Sequence, residues 1–178
     1  RRMGKELKVE LLSAEQVSAR VRELGAEISR DLAGETVLVV AVLKGAFVFC
    51  ADLVRCLTVP TEVDFMAVSS YGSATESSGV IRILKDLDAS VTGKHVLLVE
   101  DIVDSGLTLR YLKEYLEHQN PASLRVCVLL DKPARRQTQV AVDYVGFTIP
   151  DEFIVGYGID CAVQFRHLPY IGVVGDGA

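Results

Sequence analysis

The fold of this chain is decided by the stretch Val96-Leu97-Leu98-Val99-Glu100-Asp101-Ile102-Val103-Asp104-Ser105-Gly106-Leu107-Thr108-Leu109. Its first four residues form an apolar run of strand length, which is typical of a parallel strand that is covered on both faces. Polar residues follow, and the pattern predicts a helix over residues 109–118. Because a strand, a short polar loop and a helix make up the first part of a βαβ unit, the stretch predicts an open parallel sheet.

The rest of the chain continues this alternation of strands and helices. Ser13 and Gln16 fit a capping box before apolar residues at three- and four-residue spacing, which predicts a helix that ends at Gly34. Further strands are predicted over residues 37–43, 62–68, 80–85 and 125–130, and a further helix over residues 46–57. In such α/β sheets ligands bind beyond the carboxyl ends of the strands, so we expect the site there.

Composition and charge exclude several classes of protein. The 178 residues are 49% hydrophobic and 24% charged, and we expect one domain over residues 1–178, with no inference taken from Arg1 and Arg2, which precede Met3. The net charge of -5 argues against a nucleic-acid coat or a binder of anionic membranes. The longest apolar run, residues 37–43, is far shorter than the ~20 residues of a membrane-spanning helix. We therefore expect a soluble, cytoplasmic protein with no nucleic-acid or membrane partner.

Neither the cysteines nor the histidines form a recognisable catalytic or metal-binding pattern. The cysteines show no CxxC spacing, and three of them lie in apolar stretches, so we interpret all four as structural thiols. The histidines have no acid, Cys or Ser partner at a recognisable spacing, and we interpret them as structural too. These residues are Cys50, Cys56, Cys127, Cys161, His95, His118 and His167.

Three carboxylates at the end of a buried strand point to a ligand. Uncompensated buried carboxylates cost several kcal/mol each, so we expect a ligand beside Glu100 and Asp101. Residues 104–108 then open a helix, where free N–H groups and the helix dipole favour an anion, and Gly106 allows close approach. The loop lacks the Lys and the span of a GxxxxGK loop, so one phosphate suits it better than a triphosphate. A plain capped helix after an acidic turn explains the same residues equally well.

The same segment resembles the phosphoribosyl-diphosphate motif of the type I phosphoribosyltransferases, in which hydrophobic residues precede Glu-Asp and then Asp-Ser/Thr-Gly-x-Thr. Further matches extend over most of the chain, and together they resemble the bacterial hypoxanthine and hypoxanthine-guanine phosphoribosyltransferase family. These matches are Leu43-Lys44-Gly45, Ser69-Ser70-Tyr71-Gly72, Leu130-Asp131-Lys132-Pro133, Asp151-Glu152-Phe153-Ile154-Val155-Gly156-Tyr157-Gly158-Ile159-Asp160 and Phe165-Arg166. The resemblance implies the type I fold, a central parallel sheet flanked by helices with a small hood and a mobile lid loop, in a homodimer or homotetramer.

The activity implied by the resemblance is a step of purine salvage. A 5-phosphoribosyl group passes from 5-phospho-α-D-ribose 1-diphosphate to N9 of hypoxanthine or guanine, giving IMP or GMP and diphosphate. Because the chain is acidic overall, a polyanionic donor requires concentrated local cations, and Mg²⁺ is the natural cofactor. Its carboxylate partners, direct or indirect, would be Glu100, Asp101 and Asp160.

The resemblance also assigns roles residue by residue. Asp104 is the general base. The diphosphate contacts are Lys44, Gly45 and Arg166, with the Leu43–Lys44 peptide in the cis form. The ribose and 5'-phosphate contacts are Glu100, Asp101, Asp104, Ser105, Gly106, Leu107 and Thr108. The purine contacts are Lys132 to the 6-oxo group, Phe153 by stacking, Ile154 through its backbone, and Asp160. The lid is the stretch 70–79, with Ser70 and Tyr71 at its start, and of two adjacent arginines, Arg135 and Arg136, we favour Arg136 as a diphosphate or transition-state contact.

Several of these residues have ordinary explanations as well. Without the resemblance, Lys44 is an exposed strand end, Lys132 belongs to a solvated turn, Phe153 is a core residue and residues 70–79 form a surface loop. Leu107 stands where some eukaryotic relatives carry Lys, which bears on phosphate affinity. The rival functions are a transferase for xanthine, uracil or adenine, an RNA-binding regulator of the same fold, and a nucleotide-binding module without activity.

Overall fold

The structure, a computed structural model, describes residues 4–71 and 80–176, with Ser70 and Tyr71 described as backbone only. The predicted lid therefore lies outside the described side chains. The elements follow the chain as β1 (Lys5–Leu12), α1 (Ala14–Asp31), β2 (Val37–Leu43), α2 (Phe47–Val54), β3 (Thr61–Tyr71), β4 (Val80–Lys85), β5 (His95–Val103), α3 (Leu107–Glu117), β6 (Ser123–Asp131), a 3₁₀ turn (Pro133–Arg135), β7 (Tyr144–Thr148), β8 (Ile154–Val155) and β9 (Ile171–Asp176).

The larger sheet has the strand order β4-β3-β2-β5-β6-β7. Its strands are parallel except β4, which runs antiparallel to β3. This confirms the predicted α/β class with a mostly parallel sheet. The central strand β2 is buried over six of its seven residues, because helices cover both of its faces.

Two apolar cores lie on opposite faces of this sheet. Because successive strand residues point to opposite faces, Val37 and Val39 join the core formed with α1 and α2, whereas Leu38 and Val40 join the core formed with α3. The predicted capping box fixes the start of α1, since the Gln16 amide donates to Ser13 Oγ at 3.1 Å and the Ser13 amide donates to Gln16 Oε1 at 2.8 Å.

A second, three-stranded sheet of order β1-β9-β8 forms the hood. β9 runs antiparallel to both of its neighbours. The sequence analysis did not predict β1, β7, β8 or β9. β8 has only two residues, and β1 is exposed along its first six residues, so neither carries a hydrophobic period that identifies a strand.

Element boundaries differ from the predicted ones where polar residues belong to a strand. β5 continues to Val103, so Glu100 and Asp101 lie within it rather than after it. β5 stays paired with β6 as far as the match of Val103 to Asp131, and this pairing extends the strand past the apolar run. The acids are consequently held by sheet hydrogen bonds and not by a loop.

The thiols agree with their structural interpretation. All four are free, Cys50, Cys127 and Cys161 are buried, and Cys56 is partly buried. Within the ranges 4–71 and 80–176, no helix is both long and apolar enough to span a membrane.

Candidate active site

A pocket of about 370 Å³ opens where the hood meets the carboxyl ends of β5 and β6. It lies where the strand topology predicts a ligand site. The residues that line it come from the end of β5, the segment after β6, and the hood with the loop that leads into it. They are Ile102, Asp104, Lys132, Arg135, Asp151, Glu152, Phe153, Ile154, Ile159, Asp160 and Val174. The pocket thus brings the four predicted purine contacts together with the predicted base.

Lys132 is a buried cation at the base of this pocket. Only 7% of the residue is exposed, so the interpretation as a solvated turn residue is wrong. Its Nζ donates to the Glu152 carbonyl oxygen at 3.2 Å and lies 3.6 Å from Asp104 Oδ2. An ammonium group has three donor hydrogens, so a donor remains for a ligand after the bond to Glu152.

Phe153 lies in the wall of the pocket with 53% of its surface exposed. It is therefore not the core residue of the ordinary interpretation. Its carbonyl oxygen accepts a hydrogen bond from the Val174 amide at 3.0 Å, which fixes its backbone to β9. An exposed ring on a fixed backbone offers a flat apolar face to a planar ligand.

Asp104 contains the one buried side-chain polar atom in residues 4–69 and 80–176 that has no hydrogen-bond partner, its Oδ1. The side chain as a whole is 43% exposed, and its second oxygen, Oδ2, faces Lys132. Buried acceptors in native structures nearly always have partners, so an unpaired one in a pocket indicates a missing donor. A ligand N–H is the donor that this position suits.

The loop before α3 has a fixed, preformed shape. Gly106 caps the helix with φ 86°, and a side chain there would also lie 2.9 Å from the Thr138 carbonyl oxygen. The Ser105 carbonyl oxygen accepts from the amides of Gln137 and Thr138 at 2.8 and 3.2 Å, and Ser105 Oγ accepts from the Leu107 amide at 3.3 Å. The structure thus combines a capped helix with the free N–H groups and dipole of a first turn, the arrangement expected for phosphate.

Lys44 and Gly45 lie beside the acidic strand end. The Leu43–Lys44 peptide is cis, which confirms the expectation from the resemblance. The Lys44 side chain is exposed. A Cβ at Gly45 would lie 2.0 Å from Asp101 Oδ2, so the loop packs directly on that carboxyl group.

Arg166 is held by the hood turn that carries Asp160. Its NH1 donates to the Gly158 carbonyl oxygen at 2.7 Å, and its NH2 lies 3.2 Å from Asp160 Oδ1. Asp160 Oδ2 accepts from the Val163 amide at 2.9 Å. These bonds fix the guanidinium and the carboxylate relative to one another.

Glu100 and Asp101 are adjacent carboxyl groups whose pKa values are both raised. Burial, followed by the charge of Asp101, raises the pKa of Glu100 well above its usual value. Burial also raises the pKa of Asp101, but its bond from the Ile102 amide and the positive charge of Arg166 oppose that shift. Of the two groups, Glu100 therefore has the stronger preference for its protonated form.

The carboxylates do not form a metal cage of their own. In the part of the chain that the structure describes, no three His, Cys, Asp or Glu side chains are grouped to hold a metal ion. Mg²⁺ typically takes one or two carboxylates and completes its shell with water and substrate phosphates. Glu100 and Asp101 at the strand end, and Asp160 in the hood, fit this mode of binding.

The two adjacent arginines have different environments. Arg136 is 18% exposed, forms an ion pair with Asp131, and donates from Nε to the Asp104 carbonyl oxygen at 3.1 Å. Arg135 lines the pocket, is 63% exposed, and pairs with Asp151 at 2.8 Å. The preference for Arg136 stays a prediction, and the geometry adds Arg135 as the arginine that faces the pocket.

Some pocket residues were given no role by the sequence analysis. Glu152 contributes a backbone carbonyl oxygen, which any residue type supplies, and Ile159 and Val174 come from hood segments that have no clear period. His95 and His118 lie outside the pocket lining and bond to Ser123 and to the Glu114 carbonyl oxygen, in agreement with structural roles.

Comparison with known proteins agrees with this geometry. Residues 9–162 match the family model for the phosphoribosyl transferase domain. A hypoxanthine-guanine phosphoribosyltransferase of Mycobacterium avium is 54% identical over 175 residues, covering 95% of this chain and 86% of the relative. A hypoxanthine phosphoribosyltransferase of Salmonella typhimurium is 54% identical over 162 residues, covering 89% of this chain and 90% of the relative.

A solved structure shares the fold. The crystal structure of a hypoxanthine-guanine phosphoribosyltransferase from Bacillus anthracis superposes with a TM-score of 0.91 at 50% identity, covering 97% of this chain and 99% of that one.

Proposed function

The chain belongs to the phosphoribosyltransferase family and has its type I fold, and from that premise we propose that it transfers the 5-phosphoribosyl group of 5-phospho-α-D-ribose 1-diphosphate to N9 of hypoxanthine or guanine, with Mg²⁺ as cofactor. The products would be IMP or GMP and diphosphate. The family resemblance further suggests a cytoplasmic homodimer or homotetramer, which we carry over as part of the proposal.

One observation carries this proposal. Asp104, Lys132 and Phe153 line a single pocket, directly before the N-terminus of α3. A 6-oxopurine presents an N–H that suits the unpaired Asp104 Oδ1, a carbonyl oxygen that suits the free donor of Lys132, and a flat ring that suits Phe153. A 6-amino base would place a donor against the Lys132 ammonium, which disfavours adenine.

The reaction requires a proton acceptor at the purine. The bond to N9 forms as the bond from the anomeric carbon to diphosphate breaks, through an oxocarbenium-like state by analogy with glycoside hydrolysis. The purine N–H proton then needs an acceptor, and Asp104 lies in the pocket wall with an unused carboxylate oxygen. The Lys132 Nζ lies 3.6 Å from Asp104 Oδ2, so the two side chains form an ion pair in the wall of this pocket.

The leaving diphosphate requires positive charge. Lys44 is exposed beside the strand end, and Arg166 is fixed to the hood by Gly158 and Asp160. Mg²⁺ bound to substrate oxygens with Glu100, Asp101 or Asp160 would neutralise further charge on the diphosphate.

A steady-state assay tests the proposal. The donor and MgCl₂ are offered with hypoxanthine, guanine, xanthine, adenine and uracil in separate reactions, and each is repeated with a chelator. We expect turnover of hypoxanthine or guanine that the chelator abolishes and added Mg²⁺ restores. Turnover confined to xanthine, adenine or uracil would overturn the base assignment, and no turnover with any base would overturn the transferase activity. Turnover that persists with the chelator would overturn the role of Mg²⁺.

A further inference from the structure

A buried tyrosine in the hood connects the two parts of the proposed diphosphate site. Tyr157 is 6% exposed, and its hydroxyl donates a hydrogen bond to Asp52 on α2. Its φ of 50° lies in the left-handed region, which is unfavourable for a residue with a Cβ. Backbone strain of this kind persists only where the surroundings hold it, and it is concentrated at functional sites.

The residue after it makes the contact. Gly158 has φ +97°, and a Cβ there would lie 2.7 Å from the Gly45 carbonyl oxygen, so only glycine fits this approach. Gly158 also holds Arg166 twice, because its amide donates to the Arg166 carbonyl oxygen at 2.9 Å and its carbonyl oxygen accepts from the guanidinium at 2.7 Å. One turn therefore touches both proposed diphosphate contacts.

The partner of Tyr157 belongs to the same rigid element as the Lys44–Gly45 loop. The Phe47 amide, at the first residue of α2, donates to the Lys44 carbonyl oxygen at 3.1 Å, so the helix continues directly from that loop. Asp52 uses its other carboxylate oxygen for Arg55, the C-cap residue of the same helix. The acceptor of the Tyr157 bond is thus fixed to α2 and, through α2, to the loop.

We infer that Tyr157 is a positioning residue for the diphosphate half of the donor site, because its bond to Asp52 sets the distance between the Lys44–Gly45 loop and Arg166. This rests on the proposed function. Tyr157 does not line the purine pocket, and Lys132 and Phe153 depend on other contacts. Loss of the hydroxyl should therefore weaken diphosphate binding and leave purine binding nearly unchanged.

The test variant is Tyr157→Phe, which keeps the buried ring and removes only the hydroxyl. The matched control is Tyr144→Phe, because Tyr144 is 4% exposed and donates to Asp31 at 2.6 Å, a partly buried Tyr–Asp bond between β7 and α1 outside the pocket. Two measurements are made on each protein: calorimetric binding of inorganic pyrophosphate with MgCl₂, and the KM values for donor and for hypoxanthine.

In Tyr157→Phe we expect pyrophosphate binding to be about three- to tenfold weaker and the donor KM to rise by a similar factor. This is the change in affinity that corresponds to the loss of one hydrogen bond. The KM for hypoxanthine should stay within about twofold of the wild-type value. Asp52→Ala should give the same change, and the double variant should be no weaker than either single one. Should one variant fail to fold, the other decides.

Unchanged pyrophosphate affinity, an equal rise in both KM values, or the same loss in Tyr144→Phe would each overturn the inference. If the wild-type protein turns over no base, the proposed function fails, and the pyrophosphate titration still decides the role of Tyr157.

Discussion

Replacement of Lys132 by methionine tests whether this side chain selects the base. Methionine has nearly the same length and buries well, but it has no donor hydrogen. The free donor of the Lys132 ammonium, left over after its bond to the Glu152 carbonyl oxygen, is the one assigned to the 6-oxo group. A hydrogen bond that involves a charged group contributes about 1.5–3 kcal/mol, and each 1.4 kcal/mol is about a factor of ten.

We therefore expect kcat/KM for hypoxanthine to fall by about 10- to 150-fold in Lys132→Met, whereas the low rate with adenine should stay the same or rise. The ratio of the two kcat/KM values is the quantity to measure, since loss of active protein cancels in it. The control is Lys113→Met on α3, because the Lys113 Nζ also donates to a backbone carbonyl oxygen, that of Ala141, at 3.2 Å and lies outside the pocket.

A folded Lys132→Met protein that keeps the wild-type ratio of hypoxanthine to adenine would refute the assignment. A loss of hypoxanthine turnover equal to that of Lys113→Met would refute it as well, since it would reflect stability and not contact with the base. Thermal denaturation of both variants shows which case applies.

Three further predictions follow from the site. Asp104→Asn should slow the chemical step by about 10²- to 10⁴-fold with little change in donor KM, and a near wild-type single-turnover rate would exclude Asp104 as the base. Gly158→Ala should lose about 2–3 kcal/mol of unfolding free energy in urea, because alanine there has a left-handed φ and its Cβ also clashes with the Gly45 carbonyl oxygen. The control Gly34→Ala has φ +84° and no atom near its Cβ, so it should lose only about 1–2 kcal/mol, and equal losses in the two variants would contradict the clash. Burial raises the pKa of Glu100, so its stabilising contribution is full below the ordinary pKa of 4.5 and is lost as the pH rises through the folded pKa. Glu100→Gln should therefore gain more stability over wild type at pH 8 than at pH 4 in urea titrations, and the same gain at both pH values would show that Glu100 is not protonated in the fold.

The sequence predicts the central sheet well because its strands and helices carry strong hydrophobic periods. β2 is a continuous apolar run, β6 contains one over residues 126–130, and the capping box of α1 is a local signal that needs no tertiary contact. The strands of the hood were not predicted, because they lack such hydrophobic periods. β1 is exposed along most of its length, and β8 is two residues long, so both exist because β9 pairs with them.

The candidate site was also predicted only in part. Side chains with distinctive chemistry, such as Asp104 and Lys132, were predicted by number from the resemblance, and the pocket brings them together. Two contacts of the backbone were not predicted, the bond to the Glu152 carbonyl oxygen and the approach of Gly158 to Gly45, because they depend on chain geometry and not on residue type. The raised pKa of Glu100 also depends on tertiary burial, which no local pattern reveals.

The features that are unfavourable for folding are concentrated where the substrates are proposed to bind. Asp104 Oδ1 is buried without a partner, burial raises the pKa of Glu100, and Tyr157 has a left-handed backbone. Each costs free energy in the ligand-free protein, and the strain and desolvation persist because well-packed cores on both faces of the sheet hold the fold. A donor N–H satisfies the first of these and a cation relieves the second, so ligand binding and stability should be linked. The protein should therefore gain thermal stability when the substrates and Mg²⁺ bind together, and this gain should exceed the sum of the gains from each alone if the donor and the purine depend on one preformed site.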